Sequence, residues 1–264
     1  FALAMRAIRD ARARAQHEAA HAAHLEERVQ SRTAELELAN RELESFSYSV
    51  SHDLRAPLRA MTGFSRELEE DFGPSLGPEG KLLTSRIHDN ARRMSQIIDD
   101  LLLLSKTTRG EVNRQRVNLS HLFSEAFAQA LARHPRSASE VIVQPDVEVE
   151  ADPRMIEPLV ENLARNAWKF SRDSNPSRVE FGETVIEGER TFFVRDNGVG
   201  FDAELFERAL QPFERLVSNR EFEGTGVGLA ICDRVVRRHD GRMWADSAPG
   251  KGATIYFTLS AEPR

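Results

Sequence analysis

The stretch "SYSVSHDLRAPLRA" (47–60) decides how two helical regions of the chain join, and it places His52 and Asp53 side by side. Pro57 follows five residues after the histidine. Proline has no amide hydrogen, so the carbonyl of Asp53 loses its helical partner and the helix is predicted to bend. On the heptad count of the preceding region, Val50 takes an a position and His52 a c position. The pattern therefore predicts an exposed imidazole beside a helix bend.

Upstream of this stretch, residues 1–50 contain no glycine or proline and are rich in Ala, Arg, Glu and Leu. Apolar residues recur in steps of three and four over about seven heptads, which indicates a left-handed coiled coil, most simply a parallel homodimer. We predict this linker over residues 1–44. The alternative is one amphipathic helix lying on another domain, but the stripe is narrow and long. Because the pattern already runs at Phe1, we expect a fragment of a longer protein.

Downstream, the helix is predicted to continue to about Asp71, where "FGPSLGPEG" (72–80) forms a turn. A second helix follows, with its apolar residues three and four apart. They are Leu82, Leu83, Ile87, Ala91, Met94, Ile97, Ile98, Leu101 and Leu102. Two helices joined by a short loop form a hairpin, and two hairpins form a dimeric antiparallel four-helix bundle. We predict this dimerisation domain over residues 45–108.

Composition and charge exclude several classes of protein. The chain of 264 residues has a net charge of −6, which argues against a nucleic-acid partner, since such proteins carry a basic face. A single cysteine, Cys232, excludes an internal disulfide framework and fits a reducing compartment. No apolar run reaches the length of a membrane span.

The remaining residues, 114–262, are predicted to form an α/β sandwich domain. Helix patterns lie at 119–132, 154–171 and 226–239. Strand patterns lie near 141–149, 178–186, 190–195, 242–246 and 253–259. The polar stretch at 105–115 is predicted to be a hinge between this domain and the hairpin.

The segment "ENLARNAWKFS" (161–171) brings three polar side chains to one helix face: Asn162, Asn166 and Lys169. Two amide oxygens and one ammonium suit a magnesium ion that bridges phosphates and keeps several waters. Taken alone, the spacing also fits an ordinary polar helix face.

Two glycine-containing segments also suit a nucleotide. In "RDNGVGFD" (195–202), Asp196 can accept a hydrogen bond from an exocyclic amine, while Gly198 and Gly200 let the backbone approach a flat ring. In "EGTGVGLAICDRVV" (223–236), glycines precede a helix whose N-terminus favours phosphate. This second segment lacks the Gly-Lys-Ser/Thr of a P-loop.

The residues "VSHDLRAPLR" (50–59) resemble the H-box of two-component sensor histidine kinases, especially the phytochrome-like and PAS-linked members. The later segments, together with "PGKGATIYF" (249–257), follow in the order of the N-box, G1, F-box, G2 and G3 motifs. These motifs belong to ATP-binding domains of the Bergerat type. One motif alone is weak evidence, whereas five in the correct order are specific.

The resemblance implies a role for each matching residue. His52 would be the phosphoacceptor and Asp53 its acidic neighbour. Asn162 and Asn166 would bind Mg²⁺, and the remaining positions would bind ATP. These are Lys169, Asp196, Gly198, Gly200, Phe213, Arg215, Gly224, Gly226, Gly228 and Thr254, with Phe213 and Arg215 in the mobile lid and Thr254 near the adenine.

The resemblance also implies partners and a location. A homodimer would pass phosphate to an aspartate in the receiver domain of a response regulator, under control of a sensor domain absent from this chain. The fragment is expected in the cytoplasm, and a membrane link through an upstream region stays open. Many relatives carry Thr or Asn four residues after the histidine for regulator dephosphorylation. Here Ala56 takes that position, which argues against phosphatase activity by that route.

Two other functions share these motifs. A Bergerat-type ATPase needs a carboxylate four residues before the magnesium asparagine to activate water. That position holds Asn162, an amide, and Glu161 lies about 100° around the helix. An ATP-binding adaptor without histidine phosphorylation is a second alternative, but all the polar residues expected of an active kinase are present. The sequence therefore favours a histidine kinase.

Overall fold

The computed structural model describes residues 21, 24, 27–32, 34, 35, 38, 49–51, 53–106, 112–214 and 224–260. They fall into two compact units, residues 1–52 and residues 53–264. In the first unit every described residue is helical, as the sequence predicts. Most of the predicted coiled coil lies outside the described residues, so its pairing stays a prediction. Within the described residues, no helix has the length and apolar content that a membrane crossing requires.

The second unit begins with a helical hairpin of α1 (53–72) and α2 (Gly77–Lys106). The chain reverses between them at Gly77, whose φ of +61° suits glycine. Leu58, Ala91, Ile98 and Leu102 form a small buried cluster where the helices pack together. Large apolar side chains nevertheless stay exposed along both helices: Leu54, Met61, Phe64, Leu68, Phe72, Leu82, Leu83, Ile87 and Met94. One hairpin therefore buries only part of its apolar surface.

An α/β domain follows the hairpin. Its elements are β1 (Gln115–Asn118), α3 (Leu119–Arg133), β2 (Ser139–Val143), β3 (Glu148–Ala151), α4 (Pro153–Phe170), β4 (Ser177–Ile186), β5 (Glu189–Asp196), a 3₁₀ turn (Ala203–Leu205), α5 (Phe206–Ala209), α6 (Gly228–Arg238), β6 (Met243–Ser247) and β7 (Ala253–Phe257). Strands β2-β4-β5-β7-β6 form one sheet, and β1 pairs with β3 in a second. Only the β2–β4 pair in the larger sheet is parallel.

The core lies between the larger sheet and the helices α3, α4 and α6. Alternate strand residues such as Phe181, Val194 and Phe257 are buried, as expected for a sheet covered on one face. The Phe123 ring of α3 stacks on Phe181 with centroids 3.8 Å apart. Burying one such side chain contributes about 1.5–3 kcal/mol. This core fixes the position of α4 against β5, where the polar residues of the sequence motifs meet.

The structure confirms a helical hairpin followed by an α/β domain and corrects two local predictions. The pattern at 141–149 is two strands, because the chain turns at Asp146, with φ of +57°, and buries Val147. The polar stretch at 105–115 runs into β1, whose only buried residue is Val117. One buried residue leaves no periodicity to recognise, so β1 was missed.

Candidate functional site

Helix α4 starts at a well-defined cap. Asp152 accepts a hydrogen bond from the Arg154 amide, and Pro153 takes the first helical position, where a missing N–H costs nothing. The helix then turns its apolar face, including Leu159 and Leu163, into the core. The opposite side therefore presents the N-box residues towards the glycine-containing loops.

The two asparagines of α4 have different surroundings. Asn162 is buried; its Nδ2 donates to the Pro158 carbonyl at 2.8 Å, and its Oδ1 accepts from Arg165 Nη2. Asn166 is half-buried and lines the pocket described below. The amide oxygens of Asn162 and Asn166 could both ligate Mg²⁺, but that of Asn162 is already held by a guanidinium.

A largely apolar pocket lies between α4 and the edge of the sheet. It is lined by Leu163, Asn166, Ala167, Phe170, Val194, Asp196, Val199, Gly200, Phe201, Leu229, Ala253 and Ile255. Its polar side chains are one amide and one carboxylate. A flat heterocycle with an exocyclic amine suits such a site, because apolar walls bind the ring and a few polar groups orient it.

Asp196 ends β5 at the base of this pocket. Its Oδ1 accepts from the Gly198 amide at 2.9 Å. Burial raises the pKa of this carboxyl to about 6, and hydrogen bonds from the Gly198 and Ala253 amides partly oppose the rise. A carboxylate that is ionised at neutral pH inside an apolar pocket can accept a ligand N–H, which is the role predicted for Asp196.

The glycines at positions 198 and 200 are required because a side chain at either position would clash with the backbone of a neighbouring segment. A side chain at Gly198 would place its first carbon 2.2 Å from the Phe170 carbonyl oxygen. At Gly200, φ is +61° and the same atom would lie 2.1 Å from the Ala248 oxygen. The backbone thus passes close to α4 and to the turn before β7, and this passage closes the pocket.

The second glycine-containing segment leads into α6. Gly226 has φ of +76°, and its carbonyl accepts from the Phe213 amide at 2.9 Å. Phe213 itself is exposed, with φ of +71°. A first side-chain carbon at Gly228 would lie 2.6 Å from Asn162 Oδ1, and one at Gly224 would lie 3.3 Å from Lys169 Nζ. The residues 224–228, called here the glycine loop, therefore lie against the polar side of α4.

Lys169 connects the pocket and the glycine loop. Its Nζ lies 3.9 Å from the centroid of the Phe170 ring, which lines the pocket. The same atom approaches Gly224. The ammonium thus lies where phosphates attached to a heterocycle in the pocket would extend, beside the N-terminus of α6.

Three of the predicted residues line this pocket: Asn166, Asp196 and Gly200. His52 and Arg215 lie outside the described residues. Thr254 is described, but its Oγ1 accepts from Arg195 Nε at 3.2 Å on the other face of the sheet. Its neighbours Ala253 and Ile255 line the pocket instead, because strand side chains alternate between faces. Asp53 is exposed on α1.

Sequence reasoning missed three residues at the site. Thr225 Oγ1 donates to Asp100 Oδ2 at 2.6 Å, so the glycine loop is hydrogen-bonded to α2. Arg165 contacts Asn162. Arg165 follows Asn162 by three residues, which makes the two side chains neighbours on the helix but does not specify their contact. The bond between Thr225 and Asp100, 125 residues apart, left no sequence signal.

Comparisons with known proteins agree with this geometry. The family described as histidine kinase-, DNA gyrase B- and HSP90-like ATPase matches residues 151–263. The His Kinase A (phospho-acceptor) domain matches residues 42–110.

Relatives share the same region. The chain is 32% identical over 224 residues to the phytochrome-like protein Cph1 of Synechocystis, covering 85% of this chain and 30% of Cph1. It is 31% identical over 241 residues to the sensor protein kinase WalK of Staphylococcus aureus, covering 86% of this chain and 56% of WalK. The chain thus spans between 30% and 56% of the length of these proteins.

Solved structures share the fold. Full-length ShkA in complex with AMPPNP superposes with a TM-score of 0.60 at 22% identity, covering 83% of this chain and 47% of ShkA. The Acinetobacter baumannii histidine kinase AdeS gives 0.53 at 17% identity, covering 80% of this chain and 98% of AdeS. At these identities the likeness concerns the fold alone.

Proposed function

The chain belongs to the two-component sensor histidine kinases, and from this premise we propose that it transfers the γ-phosphoryl group of ATP to His52 and then to an aspartate of a receiver domain. The observation that supports this most is the meeting of Asp196, Asn166 and the glycine loop around one pocket. Asp196 suits the adenine, Asn166 suits a metal-bound phosphate, and the glycine loop suits the triphosphate.

Each end of the nucleotide has a proposed partner. The adenine amine would donate to Asp196, and the ring would lie among the apolar residues of the pocket. The phosphates would bind the amides at the start of α6 and the Lys169 ammonium. Arg215 would reach the γ-phosphate from the lid. Thr254 could act on the adenine only through its backbone or its neighbours.

Magnesium fits this donor set. Asn166 offers an amide oxygen to the pocket, and Asn162 would be a second ligand if its oxygen turned away from Arg165. Mg²⁺ prefers oxygen ligands and keeps several waters, so few protein ligands suffice. When bound, it would neutralise charge on the transferring phosphate.

The reaction would proceed by attack of a neutral imidazole nitrogen of His52 on the γ-phosphorus. A phosphorus–nitrogen bond forms, the bond to the β,γ-bridging oxygen breaks, and ADP leaves. The imidazole proton would pass to a base, and Asp53 is the adjacent candidate. In the second step, a receiver carboxylate would attack the phosphorus of the phosphohistidine, the phosphorus–nitrogen bond would break, and the ring would take back a proton to become neutral imidazole.

Water is a poor competitor at this site. Asn162 occupies the position where an ATPase needs a carboxylate, and its amide bonds with Pro158 and Arg165. Glu161 is exposed on another side of α4. We therefore favour the kinase over an ATPase or an ATP-binding adaptor, and since Ala56 follows His52 by four residues, we propose no phosphatase activity by that route.

A homodimer would complete the helical domain. The exposed apolar side chains of α1 and α2 would pack against a second hairpin to form a four-helix bundle. Histidine kinases of this domain type dimerise and act on response regulators in general. We propose the same for this chain, under control of an upstream sensor. Because it needs ATP and a receiver partner, we propose that it acts in the cytoplasm.

Labelling with γ-³²P-ATP and Mg²⁺ tests this proposal. The purified protein is expected to take up acid-labile, alkali-stable label that His52→Gln abolishes. His121→Gln, at an exposed position on α3, is the matched control and should keep the label. Label that persists in His52→Gln, or free phosphate released without protein label, would contradict the proposal.

A further inference from the structure

Arg165 lies where the polar side of α4 meets the start of α6. Its Nη2 donates to the buried oxygen of Asn162. A first side-chain carbon at Gly228 would lie 2.6 Å from that oxygen and 3.7 Å from Arg165 Nη2. The guanidinium is thus beside the helix N-terminus to which we assign phosphate.

A second cation lies one helical turn further along α4. Lys169 follows Arg165 by four residues, and its Nζ approaches the other end of the glycine loop at Gly224. The two side chains therefore bracket the loop, with Arg165 near Gly228 and Lys169 near Gly224. In a chain of net charge −6, this places two positive charges together beside a loop of small residues.

The partner of Arg165 is also informative. In the described part of the chain, its hydrogen bond goes to a neutral amide and not to a carboxylate, so its charge is not neutralised by that contact. A guanidinium carries five N–H donors and stays charged at any physiological pH. Arg165 is exposed, so donors beyond the one used on Asn162 are accessible to a ligand.

We propose that Arg165 binds the terminal phosphate of the nucleotide, while Lys169 and the loop amides bind the phosphates nearer the adenosine. This inference rests on the proposed nucleotide site and assigns it a further residue. Guanidinium groups match phosphate oxygens in geometry and charge. By holding the terminal phosphate, Arg165 would neutralise charge as that group is transferred.

Binding of nucleotides that differ only in the terminal phosphate tests this role. Isothermal titration with Mg²⁺ would compare β,γ-imido-ATP with ADP. Arg165→Gln is expected to weaken the ATP analogue about tenfold, the effect of losing one charged hydrogen bond, and to change ADP little. Arg165→Lys should recover part of the loss, because it keeps the charge. Arg133→Gln removes the same charge from an exposed position at the end of α3 and should change neither affinity.

A second comparison separates direct contact from positioning of Asn162. In an Asn162→Ala background, Arg165→Gln should still weaken the ATP analogue, because the phosphate contact does not depend on the amide. No further loss in that background, or equal losses for ADP and the analogue, would overturn the proposal. Thermal unfolding would confirm that each variant is folded. This experiment measures nucleotide binding and does not depend on phosphorylation of His52. The proposal for Arg165 and the proposed kinase activity can therefore fail separately.

Discussion

Lowering the pH should weaken adenine binding, because the carboxyl that we assign to the adenine amine titrates close to neutrality. Burial raises the pKa of Asp196 from 3.8 to about 6. Such a carboxyl is about nine-tenths ionised at pH 7 and about one-tenth at pH 5. Only the ionised form accepts the hydrogen bond freely, so affinity should fall about tenfold over this range.

Stability should respond in the opposite sense. In the unliganded protein, the folded state binds a proton on Asp196 between pH 6 and 3.8, where the unfolded chain does not. Folding therefore gains free energy from this group as the pH falls through that window. The full shift corresponds to about 3 kcal/mol. Nucleotide binding needs the ionised form of Asp196. The increase in unfolding free energy that a bound nucleotide gives should therefore become smaller as the pH falls, while the unliganded protein becomes more stable.

Adenosine is the suitable ligand, since it has no phosphate that titrates in this range. Its affinity would be measured by titration calorimetry at pH 7, 6 and 5. Asp196→Asn should bind weakly at every pH and lose the slope, whereas Asp246→Asn, exposed on β6, should keep the wild-type slope. An affinity that does not change between pH 7 and 5, or an unchanged slope in Asp196→Asn, would refute the reasoning.

Two further predictions concern residues that stabilise the α/β domain. His239 is fully buried, with Nε2 accepting from the Asp152 amide and Nδ1 donating to the Val235 carbonyl, and burial lowers its pKa below 6.5. As the pH falls, the unfolded chain binds the proton before the folded protein does, so the free energy of unfolding should fall below about pH 6.5. Urea unfolding at pH 7.5 and 5.5 should show a smaller fall in this free energy for His239→Gln than for the wild type. Equal falls in the two proteins would contradict this prediction. Gly200→Ala should lower both the urea midpoint and adenosine affinity, because its methyl would meet the Ala248 oxygen at 2.1 Å. Gly188 has φ of +82° and open space around it, so Gly188→Ala should cost only the backbone strain of about 1–2 kcal/mol and leave adenosine affinity unchanged. Equal effects of the two substitutions would count against the steric argument.

The helices and most strands of the α/β domain could be predicted because their apolar residues repeat with the period of the element. Helix α4 alternates core residues such as Leu159 and Leu163 with a polar face, and β5 alternates Val194 with Arg195. The prediction failed at β1 and at the division between β2 and β3. These strands are short, and their existence depends on pairing with distant residues, such as Val117 with Val149.

The candidate site was predicted to different depths. Residue type and order suggested Asp196, Asn166 and the glycines. Asn166, Asp196 and Gly200 line the pocket, the glycines at 224, 226 and 228 lie in the adjoining loop, and the Gly198 amide donates to Asp196. Thr254 was placed near the adenine by resemblance, but the alternation of β7 turns its side chain to the other face. Side-chain direction at a strand end depends on register, which single motifs do not specify.

By itself, the sequence determined the family, the order of the helical and α/β parts, and the presence of the chemical groups to which we assign phosphoryl transfer, because these follow from residue types at short, fixed spacings. Only the tertiary structure decided that Arg165 holds the Asn162 amide, that Thr225 bonds to Asp100 of α2, and that burial brings the Asp196 pKa close to neutrality. The bond to α2 and the burial depend on distances between residues far apart in the chain, and the Arg165 contact depends on a side-chain conformation. Packing fixes both.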